Sequence, residues 1–239
     1  DNQISDIQKL NPLINIKYKM KKTLYICLAM IFANFTFANK TIAQENTEIK
    51  KIRMVEDGGT GAYKAIMYTD DSLPTHTVFR PEDLTAIGND NKLPIIVWGN
   101  GACANSPWEH INYLSEVASH GFLTIAIGPM PQEGERGSGR SEASQLIDAI
   151  DWAIEQNNNA NSPLYNKIDT SNIAVSGMSC GGLQTLEVAP DPRITTAIVL
   201  NSGILASPVS GMPGMPALSK EDLSKLHSPV LYLLGGESD

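Results

Sequence analysis

The chain has 239 residues, of which 18 % are charged and 42 % hydrophobic, with a formal net charge of −8. That length and apolar content suit one α/β domain with a sizeable core and exclude a disordered chain. The acidic balance, with no basic run, argues against nucleic acid or an anionic membrane as partner.

Residues 1–19 precede Met20 and read as an upstream extension. Met20-Lys21-Lys22 is followed by an apolar run over 24–37, with small residues at Ala38 and Ala43. A basic start, an apolar middle and small residues at the cleavage point are the pattern of a bacterial secretory signal over 20–43, so the expected location is secreted or periplasmic. Asn34 interrupts the run, which is short for a membrane span, and no stable membrane anchor is expected. The residues before Cys27 do not form a lipoprotein cleavage box. Residues 1–43 hold six of the 18 basic and two of the 26 acidic residues, so the remainder carries 12 and 24, a formal −12.

Residues 44–61 read as an exposed lead-in. Gly58-Gly59-Thr60-Gly61 lacks the preceding strand, following helix and lysine of a phosphate loop. Residues 62–239 carry the folded domain. Residues 63–69 and 77–80 read as two early strands with a turn at 70–74, and 82–93 as a loop. The apolar run 93–98, ended by Gly99, suits a buried parallel strand. Residues 108–120 place Ile111, Leu114, Val117 and Ala118 at helical spacing, and Gly121 stops the helix. Residues 122–127 form another buried strand, 128–139 a Gly/Pro-rich loop, and 141–156 a helix with Leu146, Ile150, Ala153 and Ile154 on one face. A strand at 173–175 leads into a helix at 180–188, followed by a strand at 194–200 and a loop at 208–216. Ser219, with Asp222 three positions on, has the form of a capping box. A last strand lies at 229–234. Strands alternating with helices imply an α/β fold with a mostly parallel sheet covered on both faces.

Between the strand at 173–175 and the helix at 180–188 lies Gly177-Met178-Ser179-Cys180-Gly181, a G-x-S-x-G pentapeptide. A serine on a sharp strand-to-helix turn is exposed as a nucleophile, and the free N–H groups of the helix N-terminus face a developing oxyanion. Small flanking residues suit the strained backbone and crowded neighbours of such a turn.

Four segments carry a family resemblance: LPIIVWGNGA (93–102), VASHGFLTIAI (117–127), AVSGMSCGG (174–182) and VLYLLGGESD (230–239). Over about residues 60–239 the chain resembles the α/β-hydrolase superfamily, and within it the secreted serine esterases that include dienelactone-hydrolase-like proteins and the cutinase and polyester hydrolases. The resemblance implies ester hydrolysis through an acyl-serine intermediate, with Ser179 as nucleophile and Asp239 as the acid that orients a histidine base. It implies an oxyanion hole of backbone N–H groups from Cys180 and from Asn100, with Gly101 as the rival for the second. Met178 and Trp108 are candidates for the acyl pocket, with core packing as the other reading of each. Cys103 and Cys180 fall beside motifs that converge in the family, so a Cys103–Cys180 disulfide would tie the residue after the nucleophile to the oxyanion loop. Two buried free thiols are the alternative.

The chain departs from the family pattern in its histidines. No histidine follows Asp239, and His76, His110, His120 and His227 are not in the base's position and read as surface or packing residues. The expectation is a C-terminally truncated domain that lacks the final strand and the catalytic-histidine loop, with little hydrolysis and an exposed, aggregation-prone sheet edge. A non-catalytic binding protein and an acyltransferase on the same scaffold are the competing readings. The ester, small-molecule or polymeric, is left open. No cofactor and no metal are expected, because no metal-ligand spacing of His, Cys or carboxylates is present.

Overall fold

The computed structural model of the protein describes residues 52–54, 58–88, 90–131, 138–204 and 214–236. The signal-like segment, the extension before it, Asp239 and most of the 208–216 loop lie outside the described residues. Eight strands among the described residues form one sheet: β1 (Ile52–Met54), β2 (Ala65–Tyr68), β3 (His76–Pro81), β4 (Leu93–Gly99), β5 (Leu123–Ile127), β6 (Ile168–Met178), β7 (Thr196–Leu200) and β8 (Val230–Leu233). Their spatial order is β1-β2-β3-β5-β4-β6-β7-β8. The first three strands pair antiparallel, as does β3 with β5, whereas β5, β4, β6, β7 and β8 run parallel. The sheet is therefore mixed and mostly parallel, as in an α/β-hydrolase.

Strand periodicity divides the core in two. Val78, Ile95, Val97, Leu123, Ile125 and Ile127 point to one face, where helix α2 (Ser144–Asn158) contributes Leu146, Ala149, Ile150 and Ala153. Met67, Phe79, Trp98 and Ala126 point to the other, against Ile111, Leu114 and Ala118 of helix α1 (Ile111–Ser119). The chain leaves β4 through α1 to β5 on one side, then crosses through α2 on the opposite face to β6 on the other side. This reversal of direction opens a crevice at the carboxyl ends of β4 and β6, the place where open α/β sheets bind ligands.

Several boundaries differ from the sequence reading, each for a local reason. The β6 strand begins at Ile168, because Asp169 pairs with Pro94 and Ile173 with Ile95 around a bulge. Ser171, whose backbone N–H and hydroxyl both bond Asp169 Oδ1, disguises this polar stretch as a loop. Trp108–His110 form a separate 3-10 turn before α1. Ser141 stays outside α2 because its N–H donates to Cys103 O at 2.8 Å. The segment read as an exposed lead-in supplies β1, and its end packs on α1: Gly61 N donates to Ser119 Oγ, and Thr60 N to Glu116 Oε2. Among the described residues the sheet ends at β8, where Leu231, Tyr232 and Leu233 are exposed.

Candidate active site

At the carboxyl end of β6 the backbone turns through Ser179 and enters helix α3 (Cys180–Val188). Ser179 has φ 54° and ψ −117°, a strained conformation for a residue with a Cβ, and it is exposed to solvent. Backbone bonds hold the turn. Ser179 N donates to Leu200 O at 3.0 Å, and Ser179 O accepts from Gly182 N at 2.9 Å and Leu183 N at 3.3 Å. The Ser202 hydroxyl donates to the same carbonyl at 2.6 Å.

The flanking glycines answer to close approach. A Cβ at Gly177 would lie 2.3 Å from Gly181 O, and one at Gly181 would lie 2.0 Å from Gly99 O. The ends of β4 and β6 and the start of α3 therefore meet backbone to backbone, with Gly99 and Gly177 in register. That contact brings the loop after β4 beside Ser179.

Asn100 opens that loop and is 1 % exposed. Its Oδ1 accepts from Trp98 Nε1 at 3.0 Å, while its Nδ2 donates to Ala104 O at 3.0 Å and Ile127 O at 2.8 Å. The side chain is thus spent on shaping the loop. Ala102 and Cys103 follow in left-handed conformations, φ 55° and 49°. Arg140 Nη1 donates to Ala102 O, and a Cys103–Cys180 disulfide with a Cα–Cα distance of 5.2 Å joins the loop to the first residue of α3. Both sulfurs are buried and neither cysteine is a free thiol.

Between loop and elbow lies a cleft of about 320 Å³ whose lining includes Asn100, Gly101, Trp108, His110, Met178 and Ser179. Met178 and Trp108, the two acyl-pocket candidates, are both half-buried there.

His110 is the residue that sequence reasoning placed elsewhere. It lines the cleft with Ser179, and its ring packs on Trp98 with centroids 4.9 Å apart. Its Nδ1 is buried without a hydrogen-bond partner, and burial lowers its pKa, opposed by the charge of Glu109. Burial thus favours the neutral ring, and among the described residues Nδ1 has no carboxylate to orient it. The other histidines lie apart from the cleft. His76 is fully buried, between Thr75 Oγ1 and Gln145 O. His120 pairs with Glu116, and His227 bonds Asp191 O. Among the described residues, no histidine hydrogen-bonds the Ser179 hydroxyl. Nor is any described helix long and apolar enough to cross a membrane.

A model of PET hydrolase-like proteins matches residues 85–208, which span the loop after β4, the elbow and Ser202. The chain belongs to this PET hydrolase-like family. Curated relatives agree. Cutinase 2 of Thermobifida cellulosilytica is 37 % identical over 139 residues, covering 57 % of this chain and 48 % of the relative. Cutinase cut1 of Thermobifida fusca is 37 % identical over 139 residues, covering 57 % and 39 %. Cutinase est1 of Thermobifida alba is 38 % identical over 107 residues, covering 42 % and 34 %. The matched part of this PET hydrolase-like chain thus spans about a third to a half of the length of these cutinases.

Proposed function

We propose that this PET hydrolase-like protein hydrolyses carboxylic esters through an acyl-enzyme on Ser179, and that it is exported. The observation that carries the reading is the strained, exposed Ser179 at the head of α3, facing the β4 loop across a cleft. In this mechanism Ser179 Oγ attacks the ester carbonyl carbon while a histidine takes its proton. The oxyanion that forms accepts hydrogen bonds from Cys180 N–H and from a backbone N–H of the β4 loop, at Asn100 or Gly101. Collapse expels the alcohol, which receives the proton from the histidine, and water then cleaves the acyl-serine by the same steps. Asp239 orients the histidine. Cutinases among the relatives, and a cleft lined by Trp108 and Met178, favour esters with an apolar acyl part, cutin-like polyesters included.

One observation favours a second reading, a non-catalytic binding protein: no described histidine bonds the Ser179 hydroxyl. The two separate in one assay. The full gene product and its Ser179→Ala variant are given p-nitrophenyl acetate and butyrate. Hydrolysis that disappears in the variant supports the esterase. Equal rates in two folded proteins refute it and leave the binding protein. If an alcohol outcompetes water as the acceptor, the same acyl-enzyme serves an acyltransferase.

A further inference from the structure

We infer that Ser202 is a positioning residue for the oxyanion hole, acting through the peptide group between Ser179 and Cys180. The inference rests on the reading of Ser179 as nucleophile and adds a residue that no motif marks.

Ser202 follows β7, in a turn opened by Asn201 at φ 44°. Asn201 N donates to Leu233 O at 2.8 Å, which anchors the turn to β8. From there the Ser202 hydroxyl reaches the carbonyl oxygen of Ser179 at 2.6 Å. A peptide unit is planar, and in the trans form its C=O and N–H point in opposite directions. Fixing the oxygen of Ser179 therefore fixes the direction of Cys180 N–H, the proposed oxyanion donor. A hydrogen bond to the oxygen also polarises the amide and strengthens its N–H as a donor.

The second glycine after the cysteine supports this role. Gly181 is explained by its contact with β4, and Gly182 by contact with Ser202. A Cβ at position 182 would lie 2.5 Å from Ser202 Cβ and 2.8 Å from its Oγ. The start of α3 is thus kept bare on the side from which the hydroxyl approaches. The helix already supplies two N–H donors to the Ser179 carbonyl, from Gly182 and Leu183, so this third donor is not needed to satisfy the oxygen. What it adds is orientation, at a residue whose φ and ψ are strained.

The test uses the full gene product with Ser202→Ala, Ser202→Thr and Ser179→Ala. Four quantities are read: kcat and KM on p-nitrophenyl butyrate, the rate of Ser179 labelling by a fluorophosphonate, and the melting temperature. Complete loss of one oxyanion donor lowers kcat by about 10²–10³, so a misaimed one should lower it about tenfold. The expected result is that fall in kcat and in labelling for Ser202→Ala, with KM within about twofold and the melting temperature held, because the oxygen keeps its two backbone donors. Ser202→Thr, which keeps the hydroxyl, should restore the rate. An unchanged kcat in Ser202→Ala overturns the inference. So does a loss that follows the melting temperature and is not rescued by threonine. Absent activity in the parent protein, or activity that survives Ser179→Ala, removes the nucleophile and the inference with it. Failure of Ser202 alone leaves hydrolysis dependent on Ser179.

Discussion

Replacing Gly181 by alanine tests the packing that brings elbow and loop together. The added Cβ would sit 2.0 Å from Gly99 O and 2.8 Å from Asn100 N, where ordinary contact begins at 3.4 Å. Relief requires the start of α3 and the end of β4 to separate by about 1.4 Å. Neither side yields easily, since both contacts are backbone and the Cys103–Cys180 disulfide crosses the same gap. Overpacking of this kind costs about 2 kcal/mol, which lowers the melting temperature of a domain this size by roughly 4–8 °C. On the proposed acyl-enzyme mechanism, a displacement of about 1 Å between Ser179 and the loop after β4 should lower turnover about 100-fold. Circular dichroism melts and p-nitrophenyl butyrate kinetics measure the two effects. Gly88→Ala is the control, because a Cβ there meets nothing within 4 Å and its effect should stay within about 0.5 kcal/mol. A Gly181→Ala protein with parental melting temperature and turnover would refute the argument that close approach dictates this glycine.

Reduction of Cys103–Cys180, which closes a loop with a sequence separation of 77, should destabilise the domain by up to about 4 kcal/mol and free the left-handed Ala102–Cys103 stretch; melts with and without dithiothreitol measure it, and an unchanged melting temperature speaks against a stabilising bond. Glu116 is held at a pKa of about 2, chiefly by hydrogen bonds from Thr60 and then from His120. Its contribution is present above the ordinary carboxylate value of 4.5 and is lost as the pH falls towards 2, so Glu116→Gln should flatten the acid side of the melting profile. Hydrogen exchange should also show the 58–63 segment opening earlier in that variant. His76 has its pKa lowered by burial, opposed by its bond to Gln145 O. Folding then favours the neutral ring, so its contribution is whole above pH 6.5 and declines as the pH falls through the lowered folded value; a melting profile for His76→Gln as steep as the parent's below pH 6.5 would count against this. Apolar side chains of β8 should make the chain bind a hydrophobic dye, and Leu231→Lys with Leu233→Lys should reduce that binding.

Where local physics governed, the sequence was enough. Helix α3 begins and ends where the elbow and its apolar residues indicate, at Cys180 and Val188. The β4 strand starts at Leu93 because an uninterrupted apolar run has no stable place except a buried strand. Ser219 and Asp222 form the capping box that their spacing announces, and they open a 3-10 helix (Lys220–Lys225). The serine elbow was legible for the same reason: strand, small residues and helix are contiguous in the chain. Juxtapositions across the sheet were not legible. His110 reads as one more residue of a helix until Trp98, from β4, packs beside it and the cleft closes round it. Ser202 lies 23 residues from Ser179 and belongs to no pattern, yet the pairing of β6 with β7 puts its hydroxyl on the elbow carbonyl. The pairing of Cys103 with Cys180, 77 positions apart, stood open beside two free thiols on the resemblance alone, and the register of Gly99 with Gly177 decides it by bringing them within bonding reach. The sequence by itself determined most of the strands and helices and the serine turn between β6 and α3, because those depend on neighbours along the chain, whereas β1 and the polar start of β6 emerged only from their pairing across the sheet. Only the tertiary structure decided what faces Ser179, because strand order and register set distances that no local pattern encodes.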